Sequence, residues 1–166
     1  MSDVFKFVDK ISSLNKLDFN KLSNNLDSPF LNYDFLSSLE LSGCVTKDTG
    51  WQPNHLTCFK NNKLDGFMPI YLKNNSHGEF VFDHSWSYAL NRAGRKYYPK
   101  LLSAIPFTPC KSKKIIGNKM SHLFFNEVID YMKKKNIESW HILFPDNDLA
   151  NDLKKNNFIE RNGYKF

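Results

Sequence analysis

GEFVFDHSWSYALNRAGRKYYPKLLSAIPFTP, residues 78–109, is the stretch that decides the fold. It opens with a short apolar run that carries an acidic residue near each end, Glu79 and Asp83. A segment typical of a short helix follows and ends at Gly94, because glycine suits the left-handed position past a helix end. The apolar run from Leu101 to Phe107 then predicts a central strand. Strand, helix and strand in this order indicate an α/β fold.

The alternation of strand and helix continues on both sides of this stretch. Period-two and apolar runs predict strands at Val4–Val8, His55–Lys60, Leu64–Lys73, Glu79–Phe82, Leu101–Phe107, Ser139–Phe144 and Phe158–Arg161. Spacings of three and four predict helices from a cap at Asn32 to about Leu41, from a cap at Ser85 over Trp86–Ala93, from Asn118 through Met132, and after Pro145-Asp146. We therefore expect a mixed α/β sheet flanked by helices.

Length and composition are those of one globular domain. The chain has 166 residues, of which 41% are hydrophobic and 24% charged. Its net charge of +6 comes from lysines scattered along the sequence, a pattern typical of a dispersed solvated surface. An RNA- or tRNA-binding module that uses these lysines is the weaker alternative.

Cysteine usage and hydropathy indicate a cytoplasmic protein. The three cysteines are odd in number and far apart, which is no disulfide framework and suits a reducing compartment. The amino-terminal segment is too polar for a signal peptide, and no apolar run is long enough for a membrane span. His55 and Cys58 lie three apart on a predicted strand, hence on opposite faces, so we expect no metal site there.

The strongest short enzyme motifs are absent from the sequence. It contains no G-x-S-x-G elbow, no Walker loop, no G-x-G-x-x-G and no H-E-x-x-H. Hydrolase, kinase and dehydrogenase functions are therefore disfavoured.

Glu79 and Asp83 are the candidate catalytic carboxylates. Four residues apart on a strand, they would face the same side at about 13 Å, too far to share a proton but able to line one groove. A carboxylate there could deprotonate an amine. The structural alternative is that Asp83 caps the following helix and that Glu79 is solvated.

Two tyrosines and nearby polar or aromatic side chains complete the candidate groove. Tyr97 or Tyr98 could act as a general acid or position a substrate, although buried tyrosines more often pack and hydrogen-bond one partner. The candidates for substrate contact are His77, His84, Trp86 and Lys100.

A basic loop is the candidate donor-binding segment. Lys111, Lys113 and Lys114 lie between an apolar strand and the helix predicted from Asn118, a junction that presents backbone N–H groups to anions. These lysines could hold a pyrophosphate such as that of coenzyme A, or the loop could simply be solvated.

A series of ordered strings resembles one protein family along nearly the whole chain. The strings are Ser28-Pro29-Phe30-Leu31, Phe35-Leu36, Ser42-Gly43-Cys44-Val45, Thr49-Gly50-Trp51-Gln52-Pro53-Asn54-His55-Leu56, Pro69-Ile70-Tyr71-Leu72-Lys73, Gly78-Glu79-Phe80-Val81-Phe82-Asp83, Ala93-Gly94, Tyr97-Tyr98-Pro99-Lys100-Leu101 and Ala104-Ile105-Pro106-Phe107-Thr108-Pro109. In these the chain resembles the FemAB-like predicted N-acyltransferases, relatives of the GNAT superfamily that are often labelled peptidoglycan biosynthesis or recognition proteins.

The resemblance implies a GNAT-like fold and an activity. The implied reaction is transfer of an acyl or aminoacyl group from acyl-coenzyme A or aminoacyl-tRNA to an amine. It also implies that this chain, a single GNAT-like domain, is the first half of a two-domain protein and would pair with a second such domain or form a homodimer. The abrupt end at Gly163–Phe166 agrees with a fragment. The alternative function is a noncatalytic binding half that recognises a cell-wall precursor or a partner domain.

Overall fold

The computed structural model of the protein describes residues 3–24, 26, 28–81, 83–117 and 120–162. Its strands are β1 Val4–Val8, β2 Trp51–Pro53, β3 His55–Lys60, β4 Lys63–Met68, β5 Tyr71–Lys73, β6 Lys100–Ser103, β7 Ile116–Gly117 and β8 Trp140–Ile142. Its α-helices are α1 Lys16–Ser23, α2 Tyr33–Leu41, α3 His84–Arg92, α4 Ser121–Lys135 and α5 Asn147–Lys155.

The strands of the described residues form two four-stranded sheets. One has the order β1-β3-β4-β7 and is antiparallel throughout. The other has the order β2-β5-β6-β8, in which only the pair β6 and β8 is parallel. The mixed α/β architecture expected from the sequence is thus confirmed, and β6 is central in its sheet as expected.

The hairpin of β3 and β4 follows from its turn residues. Asn61 and Asn62 both have positive φ, 52° and 61°, and this pairing makes a tight two-residue turn whose twist matches that of the strands. The single strand expected over Leu64–Lys73 is wrong, because the chain leaves the first sheet after Met68 and enters the second as β5. Pro69 lies at this break, where it donates no ladder hydrogen bond.

Helices pack on both faces of the strands. On one side α1 and α2 bury Phe19 and Leu36 against Phe67 of β4. On the other side α4 buries Phe124 and Val128 against apolar side chains of β3, β4 and β6. The apolar spacing that predicted α4 therefore marks its buried face.

Several helix limits follow from capping side chains. Asn32 caps α2 as predicted, since its side-chain oxygen accepts a hydrogen bond of 2.7 Å from the Phe35 amide. Asp146 caps α5 in the same way at the Leu149 amide, 3.0 Å away. The helix predicted from Asn118 begins at Ser121 among the described residues, and Asn118 itself lies outside them.

Two predicted strands are wrong, and one predicted cap is wrong. Residues 79–81 form no strand, since Phe80 has a φ of 56° and Glu79 turns inward to buried lysines. Residues 158–161 run irregularly beside α5 instead of pairing with a sheet. Helix α3 begins at His84, so Ser85 lies inside the helix, while Asp83 occupies the cap position without a capping side-chain bond. The last four residues, Gly163–Phe166, at which the sequence ends abruptly, lie outside the described residues.

No helix within the described ranges is both long enough and apolar enough to cross a membrane.

Candidate functional site

The register of β5 and β6 brings two lysines together inside the protein. Lys73 and Lys100 are direct partners in this antiparallel pair, and both side chains are completely buried. Like charges directly opposite each other destabilise a sheet. Such a pair of ammonium groups requires buried counter-charges nearby.

Glu79 supplies one counter-charge from the loop after β5. Its Oε2 accepts a hydrogen bond of 2.8 Å from the Lys100 ammonium, and its Oε1 lies 3.8 Å from the Lys73 ammonium. Gly78, with a φ of 75°, turns the chain inward just before Glu79. Glu79 Oε1 is buried and accepts no hydrogen bond from any described residue. Glu79 therefore bridges the two lysines with one oxygen still open to a further donor.

Asp83 supplies the second counter-charge and is held by three donors. Its Oδ2 accepts hydrogen bonds of 2.5 Å from both the Lys100 ammonium and the Tyr97 hydroxyl. Its Oδ1 accepts a hydrogen bond of 2.5 Å from the Ser76 hydroxyl, which also contacts the Tyr98 hydroxyl. The predicted strand geometry, with the two carboxylates about 13 Å apart, is wrong, because both carboxylates bind the same ammonium. We call Lys73, Glu79, Asp83 and Lys100 the buried charge cluster.

The Lys73 ammonium has further contacts outside the buried charge cluster. It donates a hydrogen bond of 3.1 Å to the carbonyl of His77 and lies 3.8 Å from the centre of the Trp51 ring. The Trp51 indole N–H donates to the same carbonyl at 2.9 Å. Trp51 and the His77 carbonyl thus hold the Lys73 ammonium together with Glu79.

The environment shifts the pKa values of the two carboxylates in opposite directions. Burial raises the pKa of Glu79, and its contacts with Lys100 and Lys73 only partly oppose this. Burial would also raise the pKa of Asp83, but the hydrogen bonds from Lys100, Ser76 and Tyr97 outweigh it and lower that pKa to about 2. Glu79 is therefore the better proton acceptor near neutral pH, and Asp83 is a stable anion.

Neighbouring groups are shifted toward their neutral forms. Burial, only partly offset by nearby Glu79, lowers the pKa of Lys73 to about 8. Burial lowers the pKa of His141 to about 4, with Lys100 adding to the effect. Burial raises the pKa of both Tyr97 and Tyr98, so both phenols are neutral hydrogen-bonding groups at neutral pH.

A surface depression of about 260 Å³ lies beside Tyr98. Its wall is formed by Gly94, Arg95, Lys96, Tyr98, Pro99, Asn136 and Glu138. Tyr98 thus belongs both to this wall and, through Ser76, to the hydrogen bonds around Asp83.

The structure assembles some of the predicted site residues and separates others. Glu79, Asp83, Tyr97, Tyr98 and Lys100 meet in one network. The network uses the carbonyl of His77, while the His77 side chain is exposed. The exposed His84 and Trp86 lie on α3, and the Trp86 ring lies 4.6 Å from the Arg161 guanidinium.

The basic loop differs from the junction predicted for donor binding. It leads into the short strand β7 instead of directly into a helix. Lys111 and Lys113 are exposed, but Lys114 is buried and donates to the Ser112 carbonyl, the Ser112 hydroxyl and the Phe144 carbonyl at 3.0, 2.7 and 3.0 Å. Burial lowers the pKa of Lys114 to about 8. Since its three N–H groups already have acceptors, we do not assign Lys114 to a donor phosphate.

Sequence reasoning missed Lys73 and Ser76. The signal for Lys73 was available, because a lysine ends the apolar run after Pro69 just as Lys100 begins the apolar run before Phe107. Ser76 carried no signal, since a serine in a polar loop is ordinary. No cluster of three or more potential metal ligands occurs in the ranges that the structure describes.

Comparison with known proteins agrees with the fold and identifies the family. The structure is similar to the crystal structure of ribosomal-protein-alanine N-acetyltransferase from Brucella melitensis biovar Abortus 2308, with a TM-score of 0.52 and 9% sequence identity over 99% of this chain and 96% of that chain. This similarity confirms the GNAT-like fold. No curated protein sequence matches the chain. Residues 10–166 match the FemAB-like family, described as peptidoglycan biosynthesis/recognition. The chain belongs to the FemAB-like family.

Proposed function

We propose that this chain is an N-acyltransferase that moves an acyl or aminoacyl group from acyl-coenzyme A, or from an aminoacyl-tRNA, to an amine. Membership of the FemAB-like family and the GNAT-like fold support this class of reaction. The observation that carries the proposal is the chain of hydrogen bonds that links the surface depression to the carboxylate of Glu79.

The reaction requires a destination for one proton. The amine nitrogen attacks the acyl carbonyl carbon, a C–N bond forms, and the C–S bond of a thioester or the C–O bond of an ester breaks. The nitrogen must lose a proton in this process, and the leaving thiolate or alkoxide must gain one. An enzyme of this kind works mainly by positioning the two substrates and by moving these protons.

In the proposed step the proton leaves the amine through Tyr98. Tyr98 passes its own proton to Ser76, Ser76 passes one to Asp83, and Lys100 relays the charge between the two carboxylates that it contacts. Each intermediate group ends with the number of protons it had at the start. The net change is one proton moved from the neutral amine to Glu79, the carboxylate whose pKa burial raises, while the leaving thiolate or alkoxide takes its proton from solvent.

Within this mechanism Tyr97 has a positioning role, and Asp83 both relays the proton and positions its neighbours. Asp83 carries the proton only transiently, since its pKa is about 2. It also aligns Ser76 and Lys100, and the Tyr97 hydroxyl holds Asp83 in place. Donor phosphates would be contacted by the exposed Lys111 and Lys113.

The direct test is product formation by the purified chain. A panel of acyl-coenzyme A and aminoacyl-tRNA donors is combined with amine acceptors, and products are detected by mass spectrometry. We expect an acylated amine in at least one combination, and a lower yield after Tyr98→Phe, which removes only the hydroxyl. Absence of product from every donor class would contradict the proposal.

The second candidate is a noncatalytic binding half that recognises a cell-wall precursor or a partner domain. It is favoured by one observation: the buried charges largely neutralise one another, as an arrangement that only stabilises the fold would also do. This function predicts that ligands raise the thermal unfolding midpoint without any turnover. Turnover that depends on Tyr98 would reject it.

A further inference from the structure

The wall of the surface depression combines both signs of charge. Arg95 and Glu138 form an ion pair across it, and the exposed Lys96 adds a second cation. An exposed pair of this kind contributes little to stability, so a ligand can replace it at little cost. The wall therefore offers one carboxylate and two cations to a bound molecule.

Tyr98 gives the same wall a preference for a positively charged group. The Ser76 hydroxyl has one proton and donates it to the Asp83 carboxylate, so in the contact between the two hydroxyls Tyr98 must be the donor. The Tyr98 oxygen therefore has only lone pairs left for a ligand. The ring face also attracts cations. Either part of Tyr98 that meets a ligand favours an ammonium group.

We propose that this depression binds an amino-acid-like group, an ammonium and a carboxylate on neighbouring carbons, as the amine acceptor of the reaction. This inference rests on the proposed function, because it names the substrate class of the same site. The ligand ammonium contacts Glu138 and Tyr98, and the ligand carboxylate contacts Arg95 and Lys96. Before the attack the ammonium loses one proton to solvent, and the neutral amine then loses its second proton through Tyr98. A ligand with both charges satisfies each member of the Arg95 and Glu138 pair. A simple amine or a simple carboxylate leaves one of them without a partner.

The size of the depression agrees with a small group. Its volume of about 260 Å³ is below the roughly 300–1,000 Å³ typical of sites that enclose a whole drug-sized ligand. It suits a free amino acid or the end of a peptide, whereas a coenzyme A molecule would have to lie largely outside it. The donor would therefore approach from elsewhere on the surface.

Three probes that share the same propyl chain test the inference. L-norvaline carries both charges, butylamine carries only the ammonium, and pentanoate carries only the carboxylate. Each is titrated into the ¹⁵N-labelled full chain, and the amide signals of Gly94, Lys96, Asn136 and Glu138 are followed. We expect norvaline to shift these signals with a dissociation constant at least about tenfold lower than that of either other probe.

Two pairs of variants make the test specific. Glu138→Gln and Lys96→Met should each weaken norvaline binding at least about tenfold. The controls Glu127→Gln and Lys134→Met change exposed charges on α4 that do not line the depression, and should leave norvaline binding unchanged. Equal binding of the three probes, no binding of norvaline, or norvaline binding that is insensitive to Glu138→Gln would each overturn the inference.

The outcome is separable from that of the proposed function. Specific norvaline binding without transfer from any donor would support the site and contradict the transferase. Transfer to an amine without norvaline binding at these amides would support the transferase and overturn the site.

Discussion

At the scale of single residues, the site depends on where two lysines fall in the register of one strand pair. Lys73 and Lys100 would repel each other if no carboxylate separated them. Glu79 and Asp83 bring the cluster to two positive and two negative charges, all of them buried. Removal of one member leaves the others uncompensated, which is costly in a medium of low polarity.

Replacement of Lys100 by methionine tests this dependence. Lys100→Met leaves Glu79 and Asp83 without their shared ammonium, so we expect the free energy of unfolding to fall by about 3–5 kcal/mol. Urea denaturation measures the change. The matched control is Lys113→Met, an exposed lysine, which should change stability by less than about 0.5 kcal/mol. A Lys100→Met protein as stable as the control would show that the cluster is not tightly coupled.

Lys73 predicts a pH dependence of stability. Its pKa is lowered to about 8 in the folded protein from 10.5, so above pH 8 the unfolded chain binds more protons at this residue. Stability attributable to Lys73 therefore rises with pH, by about 1–2 kcal/mol between roughly pH 8 and 9.5. Urea denaturation of the wild type and of Lys73→Met over this pH range isolates the effect as the difference between their free energies of unfolding. A difference that stays constant, or falls with pH, would contradict it.

At the scale of elements, the helices differ in how they are held. α2 has a capping side chain and buries Leu36 and Ser37, and α4 buries Phe124, Phe125 and Val128. α3 buries no side chain and has no capping side-chain bond, although it follows directly after Asp83. The helix beside the site is thus the one with the weakest attachment among these three.

The cap of α2 can be tested separately from its packing. Asn32→Ala removes the acceptor of the Phe35 amide and should cost about 1 kcal/mol. Asn126→Ala, an exposed change within α4, is the control and should be neutral or slightly stabilising because alanine favours helix. Urea denaturation of both variants measures the two changes in the free energy of unfolding. Equal effects would reject the assigned cap.

Hydrogen exchange should show that the backbone amides of α3 are less protected than those of α4. Backbone amides of α3 should exchange fast, since few buried contacts resist local opening, and those within α4 should exchange slowly. Exchange followed by mass spectrometry on peptides from residues 84–92 and 121–135 provides the comparison. Comparable protection of the two helices would contradict this ranking.

Local sequence signals predicted most elements but failed where a charge distant in sequence determines the course of the backbone. The caps of α2 and α5 and the turn at Asn61 and Asn62 depend on neighbouring residues, and so their features are readable. The run after Gly78 resembles a strand locally. Its path is instead set by Lys73 and Lys100, which the sequence alone does not place beside Glu79.

At the scale of the whole molecule, two sheets and helices on both faces place the charge cluster next to an open depression. The composition and order of motifs indicated the family and the fold, both of which are confirmed. The grouping of Glu79, Asp83, Tyr97, Tyr98 and Lys100 was predicted only as a shared groove, and the buried network with Ser76 needed the structure. The single-domain organisation and the second GNAT-like partner stay predictions.

The central claim is that Glu79 receives the proton that the amine loses. It is tested most directly by the single-turnover rate of transfer in wild type, Glu79→Gln, Asp83→Asn and the control Glu127→Gln, with thermal unfolding used to confirm that each variant is folded. We expect Glu79→Gln to lower the rate at least about 100-fold and Asp83→Asn to lower it by a comparable factor, because the proton passes through Asp83 to reach Glu79, with Glu127→Gln unchanged. Full rates in folded Glu79→Gln and Asp83→Asn would contradict the account.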